Sequence, residues 1–217
     1  MSFRSLFIFL FLATYALVGQ NKNLAIQDSI DSKLVQASQT KRLLDFDKAI
    51  NLYNEIIQLA SSINSDVSTA NAYTEIANIY YQTNKNEKAL EMLIRASQIQ
   101  RRVDDKEGLS SSYNTYGLVY TSKKEFEKAL DYFDFAQSNF EDLNIKTSVA
   151  KVIMNKGLLY SEMDDQIKAN QLMDEALAIA EETKNQYIIA TILINKAKIS
   201  VKLNNQDKAF TLIDRAF

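Results

Sequence analysis

The sequence repeats with a period of 40 residues, and this period constrains the fold more than any other feature. A central alanine recurs in five copies, at Ala49, Ala89, Ala129, Ala169 and Ala209. Twelve residues before each alanine lies another small residue, at Ala37, Ala77, Gly117, Gly157 and Ala197. A period of this length indicates a solenoid, in which each copy buries its apolar face against the neighbouring copies.

The apolar spacing within a copy is helical. In the third copy, two apolar sets at intervals of three and four residues flank a polar break: Tyr113, Tyr116 and Tyr120, then Phe126, Leu130 and Phe133. Such spacing places each set on one face of a helix. Each copy is therefore predicted to be a helical hairpin, with helix A followed by helix B.

Two polar residues resemble helix N-caps. Ser122 precedes Glu125 by three residues, and Asn84 stands in the same relation to Glu87. A capping residue followed three positions later by glutamate is typical of a capping box at a helix N-terminus. We therefore expect Ser122 and Asn84 to cap the second helix of their copies.

The composition excludes several classes of protein. The chain has no His, Cys, Trp or Pro and only four glycines. Cysteine nucleophiles, imidazole bases, zinc fingers and disulfide frameworks are therefore excluded. The shortage of Pro and Gly also argues against a fold of many strands and tight turns. An all-α fold agrees with both observations.

The repeat pattern resembles the tetratricopeptide repeat, in its longer 40-residue form. The resemblance depends on a small residue, an aromatic three positions later, a central alanine, and then a large apolar and a small residue. It is closest between Asp105 and Phe133, and it departs from the family at Lys156, Lys196 and Ser200 and in having no closing proline. It implies a right-handed α-solenoid of about five hairpins, with repeats at about 28–66, 67–106, 107–146, 147–186 and 187–217, the last incomplete.

The sequence gives no candidate catalytic, metal or cofactor residues. Adjacent carboxylates can serve in acid–base chemistry, and the chain has four such pairs: Asp104–Asp105, Glu141–Asp142, Asp164–Asp165 and Glu181–Glu182. All four fall near predicted helix ends, where carboxylates normally meet solvent. The net charge of −2 provides no concentrated basic face for nucleic acid. We therefore expect a protein that is not an enzyme and that does not bind nucleic acid through this region.

The resemblance also implies a partner and a place for it. In this family helix A lines a groove that holds a peptide or protein segment, and long-repeat members often present asparagines there. The positions that match are Asn78, Asn114, Lys151, Asn155, Asn195 and Lys198. An amide side chain both donates and accepts hydrogen bonds, so a row of amides can pair with a peptide backbone. The alternative is that these polar residues only face water.

The first residues have the order of a secretory signal peptide. Arg4 is followed by an apolar run from Leu6 to Val18 and then by small and polar residues. The run is shorter than the roughly 20 apolar residues of a membrane span, and its features match a cleavable signal. We therefore predict a signal peptide at 1–19, a linker at 20–27 and the repeat array at 28–217. The prediction places the protein in the periplasm or cell envelope.

Three hypotheses of function follow from these observations. The first is an exported scaffold that binds a peptide or protein partner in the helix A groove. In the second, the chain is the sensory part of a transmembrane histidine kinase or helix-turn-helix regulator, whose membrane span and output domain lie beyond Phe217. In that case membrane attachment comes only from the signal segment or the downstream span. The third is a cytoplasmic repeat regulator with a misread start.

Overall fold

The computed structural model describes the backbone of residues 3–216 and the side chains of residues 20–216, and in this part of the chain the fold is all-α. Ten helices follow one another: α1 Phe3–Arg42, α2 Phe46–Ser62, α3 Asp66–Gln82, α4 Asn86–Arg102, α5 Lys106–Ser122, α6 Phe126–Asp142, α7 Lys146–Glu162, α8 Gln166–Glu182, α9 Gln186–Lys202 and α10 Gln206–Ala216. They pack as five successive hairpins, which confirms the predicted all-α solenoid.

Every connection between helices turns through one residue in the left-handed conformation. These residues are spaced by 20: Leu44, Asn64, Asn84, Asp104, Lys124, Asn144, Asp164, Lys184 and Asn204. Six of the nine are Asn or Asp, whose short polar side chains tolerate positive φ better than other residues with a Cβ. The residue after the turn residue is the N-cap of the following helix.

The capping prediction is wrong for both residues named from the sequence. Asn84 has a φ of 56° and lies in the turn, and Ser122 is the last residue of α5. Where a side chain does cap a helix, it belongs to the residue that directly follows the turn residue. For example, Asp105 accepts a hydrogen bond from the backbone N–H of Gly108 at 2.9 Å, and Asp165 accepts one from Lys168 at 2.9 Å. Each of these bonds satisfies a helix N–H that has no partner within its own helix.

The hairpins stack so that the odd-numbered helices form one layer and the even-numbered helices the other. Helix α3 contacts α5, α5 contacts α7 and α7 contacts α9, in addition to the contacts within each hairpin. No comparable contact joins two even-numbered helices within residues 3–216. The stack therefore curves towards the odd-numbered helices. We call the surface formed by the odd-numbered helices the inner face and the surface formed by the even-numbered helices the outer face.

The core of each hairpin pairs a small residue on the inner helix with a large one on the outer helix. Gly117 faces Phe133, and Gly157 faces Met173. Phe133 and Met173 are fully buried, as are the central alanines Ala49, Ala89, Ala129 and Ala169. The absence of a side chain at Gly117 lets α5 and α6 approach closely enough for the Phe133 ring to fit between them.

A polar network lies between the second and third hairpins. Gln100, which is fully buried, accepts a hydrogen bond from the Ser112 hydroxyl at 2.8 Å through its Oε1 atom. The hydroxyls of Thr74 and Ser112 lie 3.0 Å apart, and the Gln100 Nε2 atom lies 3.4 Å from the Thr74 hydroxyl. The network joins α3, α4 and α5. The buried apolar cluster at this junction is the smallest of the three in the described chain.

The structure bears on the predicted linker at 20–27 but not on the predicted signal peptide at 1–19. Residues 20–27, predicted to be a linker, are helical and belong to α1. The signal peptide prediction falls on residues whose side chains lie outside the described part of the chain, although the backbone of residues 3–19 is also within α1. In residues 20–216 no helix combines the length and apolar character needed to cross a membrane.

Candidate functional site

All six predicted groove residues lie on odd-numbered helices: Asn78 on α3, Asn114 on α5, Lys151 and Asn155 on α7, and Asn195 and Lys198 on α9. The 40-residue period places equivalent residues side by side on neighbouring inner helices. Among the six, Asn155 and Asn195 share one register position, and Asn78 and Lys198 share another.

The asparagines of the inner face join neighbouring helices to one another. The Asn155 side-chain amide donates to the Asn114 carbonyl oxygen at 2.8 Å. The Thr115 hydroxyl donates to the Asn78 carbonyl oxygen at 2.9 Å. Asn155 and Asn195 are only 7% and 9% exposed. Part of each amide's hydrogen-bonding groups is thus occupied within the solenoid. Fewer of these groups are available to a partner than the sequence predicts. Their role in binding a partner stays a prediction.

The two lysines are the most accessible of the predicted residues. Lys151 and Lys198 are exposed on α7 and α9, and neither forms an ion pair with a carboxylate of the described residues. Lys198 lies 3.5 Å from the Asn195 carbonyl oxygen. The lysines place two positive charges on the half of the inner face formed by α7 and α9.

Apolar side chains lie between the polar ones. Leu118 and Leu158 hold the register position that Asn78 and Lys198 hold in other hairpins, and both are half-buried. Ile194 is also half-buried and lies at the register of Asn114. The inner face is therefore mixed: each of α3, α5, α7 and α9 carries one of the asparagines, the two lysines lie on α7 and α9, and apolar side chains lie on α5, α7 and α9. Such a surface can bind both a peptide backbone and apolar side chains.

A second candidate site lies where α5 is exposed between the outer helices α4 and α6. The rings of Tyr116, Tyr120 and Tyr132 are parallel to within 15°, with centroids of Tyr116 and Tyr132 at 4.7 Å and of Tyr120 and Tyr132 at 5.4 Å. Tyr113 and Phe135 extend the cluster, with their centroids 5.8 Å apart. Phe135 is 58% exposed. We call this surface, bounded by Arg101, Tyr113, Tyr120, Lys128, Asp131, Tyr132 and Phe135, the outer groove.

Two cations flank the aromatic rings of the outer groove. The Arg101 guanidinium donates to the Tyr113 hydroxyl at 3.2 Å, and this hydrogen bond raises the pKa of Arg101. The Lys128 ammonium lies 5.4 Å from the centre of the Tyr120 ring, within the range of a cation–π interaction. Burial raises the pKa of Tyr132. Like any tyrosine at neutral pH it is protonated, so its hydroxyl can donate a hydrogen bond.

Comparison among the repeat copies shows why helical periodicity alone missed the outer groove. The register position of Phe135 is occupied by Glu55, Arg95, Glu175 and Arg215 in the other copies. An aromatic residue at a position that is charged in every other copy signals a local surface rather than a core requirement. The spacing of the tyrosines predicts only that they share a helix face.

The four acidic pairs lie in turns and at helix ends. Asp104 and Asp164 adopt the positive φ of the turns, and Asp105 and Asp165 cap helices α5 and α8. The other two pairs lie at the ends of α6 and α8, where Glu182 forms an ion pair with Lys146 at 2.9 Å. Among residues 20–216 no group of three or more carboxylates is placed to hold a metal ion.

Comparisons with known proteins support a tetratricopeptide repeat protein. Residues 68–141, which span most of α3 to α6, match the tetratricopeptide repeat family model. No curated protein matches the sequence. BtubC (BKLC) from P. vanneervenii has a similar structure, with 22% identity and a TM-score of 0.70 over 93% of this chain and 83% of that one.

Two further structures share the fold. A Rap protein complexed with Competence and Sporulation Factor is 19% identical, with a TM-score of 0.76 over 83% of this chain and 51% of that chain. A STAND protein with a tetratricopeptide repeat sensor, PH0952 from Pyrococcus horikoshii, is 19% identical, with a TM-score of 0.68 over 96% of this chain and 32% of that chain. The chain thus spans about half of the Rap protein and a third of the STAND protein. At these identities the likeness shows the fold alone.

Proposed function

We propose that this chain is an exported, non-enzymatic scaffold that binds a peptide or protein partner on its inner face. The observation that carries the proposal is the set of polar side chains on successive inner helices, in which Asn155 contacts Asn114 and the lysines Lys151 and Lys198 are exposed. A partner segment that crosses these helices meets hydrogen-bonding groups at the spacing of the repeat. The Rap structure, which is complexed with a factor, supports ligand binding by a solenoid of this kind.

The pairing of the asparagines favours a rigid binding surface. Asn114 and Asn155 hold each other at 2.8 Å, so their orientation is set before a partner arrives. This hydrogen bond uses neither the Asn155 carbonyl oxygen nor the two N–H groups of the Asn114 side chain, so these groups can pair with a backbone segment. A preorganised surface loses less conformational entropy on binding than a mobile one. The accessible lysines then contribute electrostatic attraction to carboxylates of the partner.

Site-directed photo-crosslinking in cells that naturally make the protein tests this proposal. A photoreactive phenylalanine derivative replaces Lys151 in one variant and Lys198 in another. We expect both variants to form an adduct with the same partner, which mass spectrometry identifies. The matched control replaces Lys168, an exposed lysine of α8 on the outer face. Adducts from Lys168 equal to those from Lys151 and Lys198 would contradict the inner-face assignment.

The sensory alternative is favoured by one observation: the STAND protein uses a tetratricopeptide repeat as its sensor. In that case the inner face binds a signal and passes it to an output domain. An immunoblot of fractionated cells, with antibody against residues 105–145, separates the two proposals. A soluble envelope band slightly smaller than 24.7 kDa supports the exported scaffold, whereas a much larger membrane-bound band supports the sensor.

A further inference from the structure

At two of the four junctions between hairpins in the described chain, a lysine of the inner helix pairs with an aspartate of the preceding outer helix, whereas the junctions of α2 with α3 and of α4 with α5 lack this bridge. Lys156 of α7 donates to Asp134 of α6 at 2.7 Å, and Lys196 of α9 forms an ion pair with Asp174 of α8. The same register position on α5 is occupied by Tyr116. The residue that it would meet on α4, at the register of Asp134 and Asp174, is Ile94, which is 50% exposed.

Because Tyr116 and Ile94 replace the lysine and the aspartate of the ion pair, the surface at this junction is open and aromatic, and it forms the outer groove. Its volume is about 510 Å³. Its walls are aromatic rings, and its polar atoms include the Arg101 guanidinium, the tyrosine hydroxyls and the Lys128 ammonium, which also donates to Glu125. Burial raises the pKa of Tyr116 as well as that of Tyr132, so these phenols remain protonated donors at neutral pH. Asp131 contributes the one carboxylate of the lining.

The chemistry of the lining discriminates among possible occupants. A helical segment presents backbone carbonyl groups that are already bonded within the helix. A polyproline II segment has no internal hydrogen bonds, and its prolines have no N–H groups, so it presents unpaired carbonyl oxygens and apolar rings. The hydrogen-bond donors of the lining complement the negative partial charge of those oxygens. The carboxylates of Asp131 and of Glu125, which pairs with Lys128, balance the two cations, so the lining does not favour a strongly acidic segment.

The dimensions agree with a short extended segment. Lys128 and Phe135 are seven residues apart on α6, which corresponds to about 10 Å along the helix axis. At about 3.1 Å per residue, a polyproline II segment of three to four residues covers that length. We propose that the outer groove binds a proline-rich segment in the polyproline II conformation. Residues 1–217 contain no proline, so the segment lies outside them.

A titration of the full chain with a defined probe tests the proposal. The probe is a fluorescein-labelled peptide of eight prolines, and a labelled Gly-Ser peptide of equal length is the control. We expect saturable binding of the proline peptide, measured by fluorescence anisotropy, with an affinity at least about tenfold above that of the control. The double variant Tyr132→Leu, Phe135→Glu should weaken binding about tenfold or more, because buried aromatic anchors dominate binding energy at such sites.

We expect the double variant to keep the fold. Leu172 and Glu175 occupy these two register positions in the fourth hairpin, so the substituted residues are already accepted by the same architecture. Circular dichroism should show unchanged helicity. Lys168→Ala, the counterpart of Lys128 in the fourth hairpin, should bind the proline peptide like the unmodified chain.

Three results would overturn the proposal. The first is the absence of proline-peptide binding at millimolar concentration, and the second is binding that survives the double variant. The third is a dimer of the unmodified chain, in sedimentation equilibrium, that Phe135→Glu converts to a monomer. That result would make the outer groove an interface between copies of this chain. The inner-face proposal is unaffected by all three, because its residues lie on the opposite surface.

Discussion

The contact between Gly117 and Phe133 shows how single residues set the helix spacing in this solenoid. A Cβ atom added at Gly117 would lie 2.5 Å from the Phe133 ring, a distance too short for carbon atoms. A glycine in the middle of a helix costs about 1 kcal/mol relative to alanine. The close approach of the aromatic ring offsets that cost, because it fills the space between α5 and α6.

We therefore expect Gly117→Ala to lower the free energy of unfolding by about 1–3 kcal/mol, since overpacking outweighs the gain in helix propensity. Urea denaturation followed by circular dichroism measures the change. The double variant Gly117→Ala, Phe133→Leu should recover much of the loss, because it recreates the pair Ala77 and Leu93 of the second hairpin. An alanine variant as stable as the unmodified chain would refute this account of the packing.

Tyr53 makes stability depend on pH in the alkaline range. Burial, together with the Glu75 carboxylate, raises the pKa of Tyr53 from 10.0 to about 12. In the unfolded chain this tyrosine ionises near pH 10, whereas in the folded chain it holds its proton to a higher pH. Its contribution to stability is therefore complete below pH 10 and decreases as pH rises from 10 to 12, by at most about 1.4 kcal/mol per pH unit.

Tyr53→Phe should lessen this decline. We expect the Tm of the phenylalanine variant, relative to that of the unmodified chain, to rise between pH 9 and pH 11.5. Differential scanning calorimetry at the two pH values gives the comparison. The same Tm difference at both values would show that Tyr53 does not ionise differently in the two states.

At the scale of elements, α9 is held against α8 by an ion pair between a buried lysine and an exposed aspartate. The Lys196 side chain is 8% exposed, whereas that of its partner Asp174 is 55% exposed. A buried charge that loses its partner is costly, whereas replacement of the charge by an apolar group of similar size is often tolerated. The apolar portion of the lysine side chain already packs along this surface.

We expect Asp174→Ala to lower the free energy of unfolding by about 1–2 kcal/mol, and Lys196→Met to leave it nearly unchanged or raise it. Chemical denaturation of both variants provides the measurement. Equal destabilisation by the two substitutions would mean that the attraction between the charges, rather than desolvation of the lysine, dominates.

The sequence predicted the elements better than the sites. The constant spacing of the central alanines, such as Ala89 and Ala129, located the hairpins because the helix lengths do not vary between copies. Asn84 was mistaken for a cap because asparagine is favoured both at N-caps and at positive φ. The pairing of Asn114 with Asn155 depends on how closely neighbouring helices approach, which periodicity does not specify. The exposure of Phe135 depends in the same way on which helix covers it.

At the scale of the whole molecule, the hairpins interact mainly with their nearest neighbours. In such an array stability is approximately the sum of the terms for individual repeats and for the interfaces between them. The interface between the second and third hairpins differs from the others because it buries Gln100, Thr74 and Ser112 in one hydrogen-bonded network. A fully satisfied buried network strengthens a junction, and a partly satisfied one weakens it.

We expect Gln100→Ala to cost about 1–3 kcal/mol, because it leaves a cavity and removes the acceptor of the Ser112 hydroxyl. Loss of the network should also uncouple the unfolding of the first two hairpins from that of the last three. Hydrogen exchange measured by mass spectrometry at increasing urea should show α3 and α7 opening together in the unmodified chain and separately in the variant. Joint opening in the variant would show that the network does not couple them.

The 20-residue spacing of the turn residues has a consequence for the gene. A duplication or deletion of forty codons adds or removes one complete hairpin, and every later helix keeps its layer. A change of twenty codons also preserves the reading frame and leaves every helix intact, but it exchanges the inner and outer layers for all that follows. Natural variation in this gene should therefore accumulate in steps of forty codons, because only those steps are neutral for the architecture.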